Sequence, residues 1–172
     1  MTSIRDARAD DAEAIAAIYG HHVLHGTASF EEQPPTAEAW REKIATLASR
    51  RWPFIVAEDR GEVVAYAYVT QFRDRPAYAF TCENSIYVHA ERVGQGIGRA
   101  LLQRLIEAAR EAGFKQMIGV IGGGEPASVA LHRACGFAER GRMKSIGFKF
   151  GRWLDTVYVQ RDLIGEGERS DS

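Results

Sequence analysis

At 172 residues the chain is long enough for one domain built around a single hydrophobic core. Its 45% hydrophobic and 26% charged residues are those of a globular protein, and a net charge of -1 leaves no electrostatic footprint for nucleic acid or an anionic membrane. Cys82 and Cys135 match no metal-ligand or redox spacing, no apolar run reaches the ~20 residues that span a bilayer, and the N-terminus lacks the basic-then-apolar layout of a signal peptide, so the expectation is a metal-free cytoplasmic protein.

Ile4 to Arg8 reads as an opening strand. Asp10 is placed to cap the helix that follows, with Glu13 as its reciprocal partner, and Ala12, Ile15, Ile18, Tyr19 and Val23 carry that helix to about His25. Residues 27–33 form a loop in which Phe30 is unusually large and apolar. Pro34-Pro35 breaks the chain, and Thr36 caps a second helix bearing Trp40, Ile44 and Leu47. Residues 54–57, a turn at Asp59-Arg60-Gly61 and residues 63–72 resemble a hairpin; beyond a polar loop at 73–76, residues 78–88 are again strand-like. Residues 97–112 form a strong helix with Leu101, Leu102, Leu105, Ile106 and Ala109 on one side, ended by Gly113. A short buried strand at 116–121 follows, then a helix opened by Pro126 and stopped by Gly136, and final strands at 143–150 and 155–161. Residues 1–164 therefore read as one β-α-α-β-β-β-α-β-α-β-β domain, and the polar residues 165–172 as a flexible tail.

The segment Val93-Gly94-Gln95-Gly96-Ile97-Gly98 lies between a strand and a helix start. The first N–H groups of a helix are unpaired and carry partial positive charge, and glycines leave them uncovered, so this pattern predicts an anion site, with Arg92 and Arg99 flanking it. The alternative is a plain glycine-rich turn. The dinucleotide fingerprint fails because Arg99 stands where the third glycine spacing is needed, and no Gly-Lys-Ser/Thr follows to make a P-loop.

This loop resembles the pyrophosphate loop Gln/Arg-x-x-Gly-x-Gly/Ala of the GNAT acetyltransferase superfamily, with Val93 in place of the leading Gln or Arg. Thr81-Cys82-Glu83-Asn84-Ser85-Ile86-Tyr87-Val88, Leu131-His132-Arg133-Ala134-Cys135-Gly136-Phe137, the stretch from Gly147 to Asp155 and that from Phe72 to Tyr78 are similar to the phosphinothricin and methionine sulfone/sulfoximine acetyltransferase branch. The resemblance implies an α/β (α+β) fold: a single-domain twisted mixed sheet of about seven strands with helices on both faces. It also implies a homodimer and acetyl-CoA entering a V-shaped opening between two central strands. On that basis Ile86, Tyr87 and Val88 offer main-chain contacts to the CoA arm, and Gly94, Gln95, Gly96, Ile97, Gly98 and Arg99 take its pyrophosphate. Glu125 stands where the branch has Asn, and Ser128 is expected to make the polar contact instead.

Acetyl transfer to an amine requires loss of a proton from the ammonium, stabilisation of the developing oxyanion and a proton for the departing thiolate. Glu83, a carboxylate inside an apolar strand, is the candidate base, because burial of such a group is costly without a partner or a task. His132 is the second catalytic candidate, as acid, base or structural ring. His21, His22, His25 and His89 read as structural or surface groups. Arg73 and Arg75 can fork onto an α-carboxylate, Phe30, Glu31 and Tyr78 can wall an acceptor pocket, and Asn84 and Ser85 lie near its floor. The acceptor implied by resemblance is a small amino acid or analogue. Another amine (a protein N-terminus or a polyamine) and a non-catalytic acyl-CoA sensor are the alternatives; a paired arginine argues against a polyamine pocket.

Overall fold

The computed structural model describes residues 1–165. Seven strands, β1 (Thr2–Asp6), β2 (Phe54–Asp59), β3 (Glu62–Gln71), β4 (Thr81–Val88), β5 (Gln116–Gly122), β6 (Ala138–Lys149) and β7 (Arg152–Asp162), form one sheet in the order β1-β2-β3-β4-β5-β7-β6. Among the described residues only β4 and β5 run parallel; every other neighbouring pair is antiparallel. Helices α1 (Ala12–His25) and α2 (Ala37–Ser49) cover one face, and α3 (Ile97–Glu111) and α4 (Pro126–Ala134) the other. The fold and element order are those expected. The tail expected from residue 165 lies, from 166 on, outside the described residues.

Local chemistry explains most boundaries. Thr36 Oγ1 accepts the Ala39 N–H at 3.2 Å and so caps α2, whose Trp40, Ile44 and Leu47 are buried against β2 and β3. On α3, Leu101, Leu102 and Leu105 are fully buried, each stabilising the fold by about 1.5–3 kcal/mol. The start of α1 departs from expectation. Asp10 is exposed, and it is Asp11 that accepts the Arg8 N–H at 2.7 Å and a two-pronged contact from Arg5 at 2.8 and 2.9 Å. Residues Ala9–Asp11 form a single tight turn before the helix, and Glu13 pairs with Arg41 rather than back to the cap. Strand extents differ as well: β1 lies two residues earlier than expected and β2 runs two residues further. Pro76–Tyr78 is a helical turn, so β4 begins only at Thr81, and β6 and β7 are longer than expected: β6 is the exposed edge of the sheet and pairs with the partly buried β7 in a hairpin closed at Phe150-Gly151.

What positions the site is an interrupted pairing. β4 and β5 are matched from Thr81↔Gln116 to Asn84↔Gly119 and no further. Beyond that point β4 stays on β3 as far as Val88↔Ala65, while β5 stays on β7 as far as Gly122↔Thr156. The two strands therefore diverge, and a slot opens through the middle of the sheet.

Candidate active site

Side chains alternate along β4. Tyr87 packs with Tyr19 and Tyr66 on the α1/α2 face, so Glu83 and Ser85 share that face, whereas Cys82, Ile86 and Val88 pack with the α3/α4 core. A cleft of about 440 Å³ occupies the slot and draws its lining from both faces, including Ser29, Phe30, Glu31, Glu83, Ser85 and His132. Ile86 and Tyr87 line it as well, so the backbone of β4 that β5 has abandoned faces the cleft.

Glu83 sits one residue before the last β4–β5 pair. Burial pushes its carboxyl above the usual glutamate range, and the cationic Arg73 partly opposes that shift. A half-buried carboxylate with a raised pKa is a better proton acceptor than an exposed one.

His132 lies on the opposite face, almost fully buried. Its Nδ1 is 2.8 Å from the Ser128 carbonyl and its Nε2 3.1 Å from Asn84 Oδ1, while Asn84 donates through Nδ2 to the Ile118 carbonyl at 3.3 Å. Both ring nitrogens thus face acceptors, an arrangement that suits the doubly protonated ring, although burial pulls its pKa down. In the neutral ring Ser128 Oγ, 3.5 Å from Nδ1, is the nearest alternative donor. The ring rests on Gly119, where an added Cβ would lie 3.0 Å from His132 Nε2. Glu83 and His132 therefore flank the apex of the slot from opposite faces, joined through Asn84.

In the loop after β4, Gly94 and Gly96 adopt φ of +82° and +80°, a backbone that favours glycine, and a Cβ at either would meet nothing within 4 Å. The N-terminus of α3 is thus open to an anion. Gly98 packs toward Val88 and Leu131, which ties the loop to the end of β4. Ile97 points into the core, leaving only its backbone for a ligand, and Arg99 is exposed on the first turn. Arg92 is occupied: it pairs with Asp59 and donates to Gln95 Oε1 at 3.2 Å. Glu125 accepts the Ser128 N–H at 2.8 Å and so caps α4. The acceptor side is less complete. Phe30 and Glu31 line the cleft, but Arg75 and Tyr78 are exposed outside its wall, Tyr78 touching Phe72, and Arg73 lies over the Phe72 ring.

Several residues were legible only as core or surface. Tyr19 donates to Glu31 Oε1 at 2.8 Å and lies 2.8 Å from Ser29 Oγ, and His22 Nε2 lies 2.9 Å from the Val88 carbonyl, on the strand end assigned to the CoA arm.

An acetyltransferase (GNAT) domain profile matches residues 4–158. The chain belongs to the GNAT acetyltransferase family. This GNAT chain is 48% identical to a phosphinothricin N-acetyltransferase of Alcaligenes faecalis over 94% of its own length and 82% of the relative's. It is 41% identical to an L-methionine sulfoximine/L-methionine sulfone acetyltransferase of Pseudomonas aeruginosa, over 94% of both chains. A solved GNAT phosphinothricin acetyltransferase of Sinorhizobium meliloti in complex with AcCoA superposes with a TM-score of 0.94 at 47% identity, covering 99% of this chain and 92% of that one. The chain is accordingly an N-acetyltransferase.

Proposed function

We propose that this GNAT enzyme transfers the acetyl group of acetyl-CoA to the α-amine of a small amino acid or analogue of the phosphinothricin, methionine sulfone or methionine sulfoximine type. The observation that carries the reading is the slot through the sheet, with Glu83 at its apex and, past the end of the same strand, the open start of α3. The residues present fit acetyl-CoA: the glycine backbone from Gly94 to Gly98, with Arg99 beside it, suits a pyrophosphate, and Ile86 to Val88, paired with β3 on one edge and released by β5 on the other, suit an extended amide-bearing arm. The relatives named above act on amino-acid analogues, which supports the acceptor class.

In this reading Glu83, directly or through a water, takes the ammonium proton. The freed nitrogen then bonds to the thioester carbon, and as the C–S bond breaks the nitrogen's second proton passes, with His132 as the relay, to the departing thiolate. Phe30, Glu31, Tyr78, Asn84 and Ser85 shape the acceptor side, and Arg73 and Arg75 meet its carboxylate. The enzyme works as a homodimer in the cytoplasm. Exposed Met143, Ile146, Phe148, Phe150 and Trp153 along the edge hairpin support the dimer, and no helix among the described residues is long and apolar enough to cross a membrane.

The test is release of free thiol from acetyl-CoA across a panel of amines. Acceleration by methionine sulfone, methionine sulfoximine and phosphinothricin, but not by polyamines or N-terminal peptides, is expected. Binding of acetyl-CoA with no amine accelerating release would overturn the reading.

A further inference from the structure

We propose that Lys149 and Gly147, on β6, are positioning residues for the acceptor: they hold the loop from Ala28 to Glu31 where it walls the cleft and, through Phe30, set how long an acceptor side chain fits. This rests on the acceptor reading given above.

Lys149 is buried to 3% exposure, and its Nζ donates to the Ser29 carbonyl at 2.7 Å. A buried ammonium is costly unless hydrogen-bonded, and burial pulls its pKa down while the Glu32 and Glu31 carboxylates oppose the shift. The contact joins residues 120 apart in the chain, so it ties the α1–α2 loop to the edge hairpin.

Gly147 is two residues earlier on the same strand. A Cβ there would lie 2.4 Å from Phe30 Cε2 and 2.8 Å from Cζ. On β5, a Cβ at Gly122 would lie 3.0 Å from Phe30 Cε1 and 2.8 Å from the Ala28 carbonyl oxygen. Phe30 is thus seated against two strand glycines, and the rest of its ring faces the cleft. The tie also orders polar groups. Ser29 Oγ accepts the Glu31 N–H at 3.2 Å and bonds Tyr19, which in turn donates to Glu31. All three line the cleft. Of these residues only Tyr19 reaches the strand end assigned to the CoA arm, through its ring contact with Tyr87, and none touches the start of α3, so loss of the tie should act on acceptor binding far more than on acetyl-CoA binding.

The experiment compares the full-length enzyme with Lys149→Met and Gly147→Ala. Gly147 has an ordinary φ, so alanine there is tolerated by the backbone and acts by swinging the Phe30 ring. With methionine sulfone as acceptor, both variants should raise the acceptor KM about tenfold and leave the KM and Kd of acetyl-CoA within about twofold. Phe30→Leu added to Gly147→Ala should restore part of the loss, so that the double variant is better than the sum of the singles. Should Lys149→Met fail to fold, Gly147→Ala and its Phe30→Leu rescue carry the test. Hydrogen exchange reads the tie without any acceptor: amides of residues 28–31 should exchange faster in the variants. Unchanged exchange, or an equal rise in both KM values, overturns the proposal. A wild-type enzyme that acetylates no amino-acid-like amine overturns the acceptor reading instead, a result seen before any variant is made.

Discussion

Gly119→Ala probes the apex of the slot. The φ of Gly119 is ordinary for any residue, so the effect is one of space alone. The new methyl would lie 2.7 Å from Val159 Cγ2 and 3.0 Å from both Cδ2 and Nε2 of His132, where ordinary contacts begin near 3.4 Å. Val159 is held in the β5–β7 pairing, and His132 is held by Asn84 and Ser128, so neither side yields freely. Overpacking of this kind costs about 1–3 kcal/mol, and weakening the His132–Asn84 bond adds about 1 kcal/mol. At a urea slope of about 2 kcal/mol per molar, a loss of about 2–4 kcal/mol lowers the unfolding midpoint by about 1–2 M. Urea unfolding followed by far-ultraviolet circular dichroism reads that midpoint, and thiol release reads the turnover. Val159→Ala in the same chain should recover part of the stability, because it removes the nearer contact. An unchanged midpoint together with unchanged turnover would refute the packing of His132 on Gly119.

Two further outcomes follow from the charges around Glu83. Its folded-state pKa is raised by burial, so the ionised form opposes folding; the stability associated with the neutral form is present below the ordinary glutamate pKa and is lost as pH rises through the raised value. Glu83→Gln should therefore melt higher than wild type at pH 8 and gain nothing at pH 4, and an identical difference at both pH values would contradict a buried, ionising carboxylate. Arg73→Ala removes a cation that lowers the Glu83 pKa, so the activity limb governed by Glu83 should move to higher pH; Arg75→Ala should leave that limb in place and raise the acceptor KM more than that of acetyl-CoA. Steady-state pH profiles separate the two, and an unmoved limb in Arg73→Ala would remove Arg73 from the site.

How much of this was legible in the sequence depends on how local the cause is. The caps and apolar spacing of α2 and α3 are written within a few residues, and both helices appear as expected. Glu83 stood out because a carboxylate in an apolar strand needs a reason. The start of α1 was misplaced because Asp11 is favoured over Asp10 by Arg5, a partner on β1. The first half of β6 was missed because Ala138 to Arg142 are exposed on an edge strand, where no buried alternation marks them. Tyr19 was readable as core, but its hydroxyl contact with Glu31 was not, and His22 was set aside because its partner is a backbone carbonyl on a distant strand. The stretch from Gly147 to Asp155 carried the family resemblance without a physical reason, and the seat it makes for Phe30 exists only once the hairpin and the loop meet.

The claim that Glu83 is the proton acceptor for acetyl transfer is tested most directly by one comparison: the turnover and the acetyl-CoA dissociation constant of Glu83→Gln against wild type, on the same folded preparations. The account predicts a turnover lower by about 10²–10⁴-fold with the dissociation constant nearly unchanged. Equal losses in both, or full turnover without the carboxylate, would contradict it.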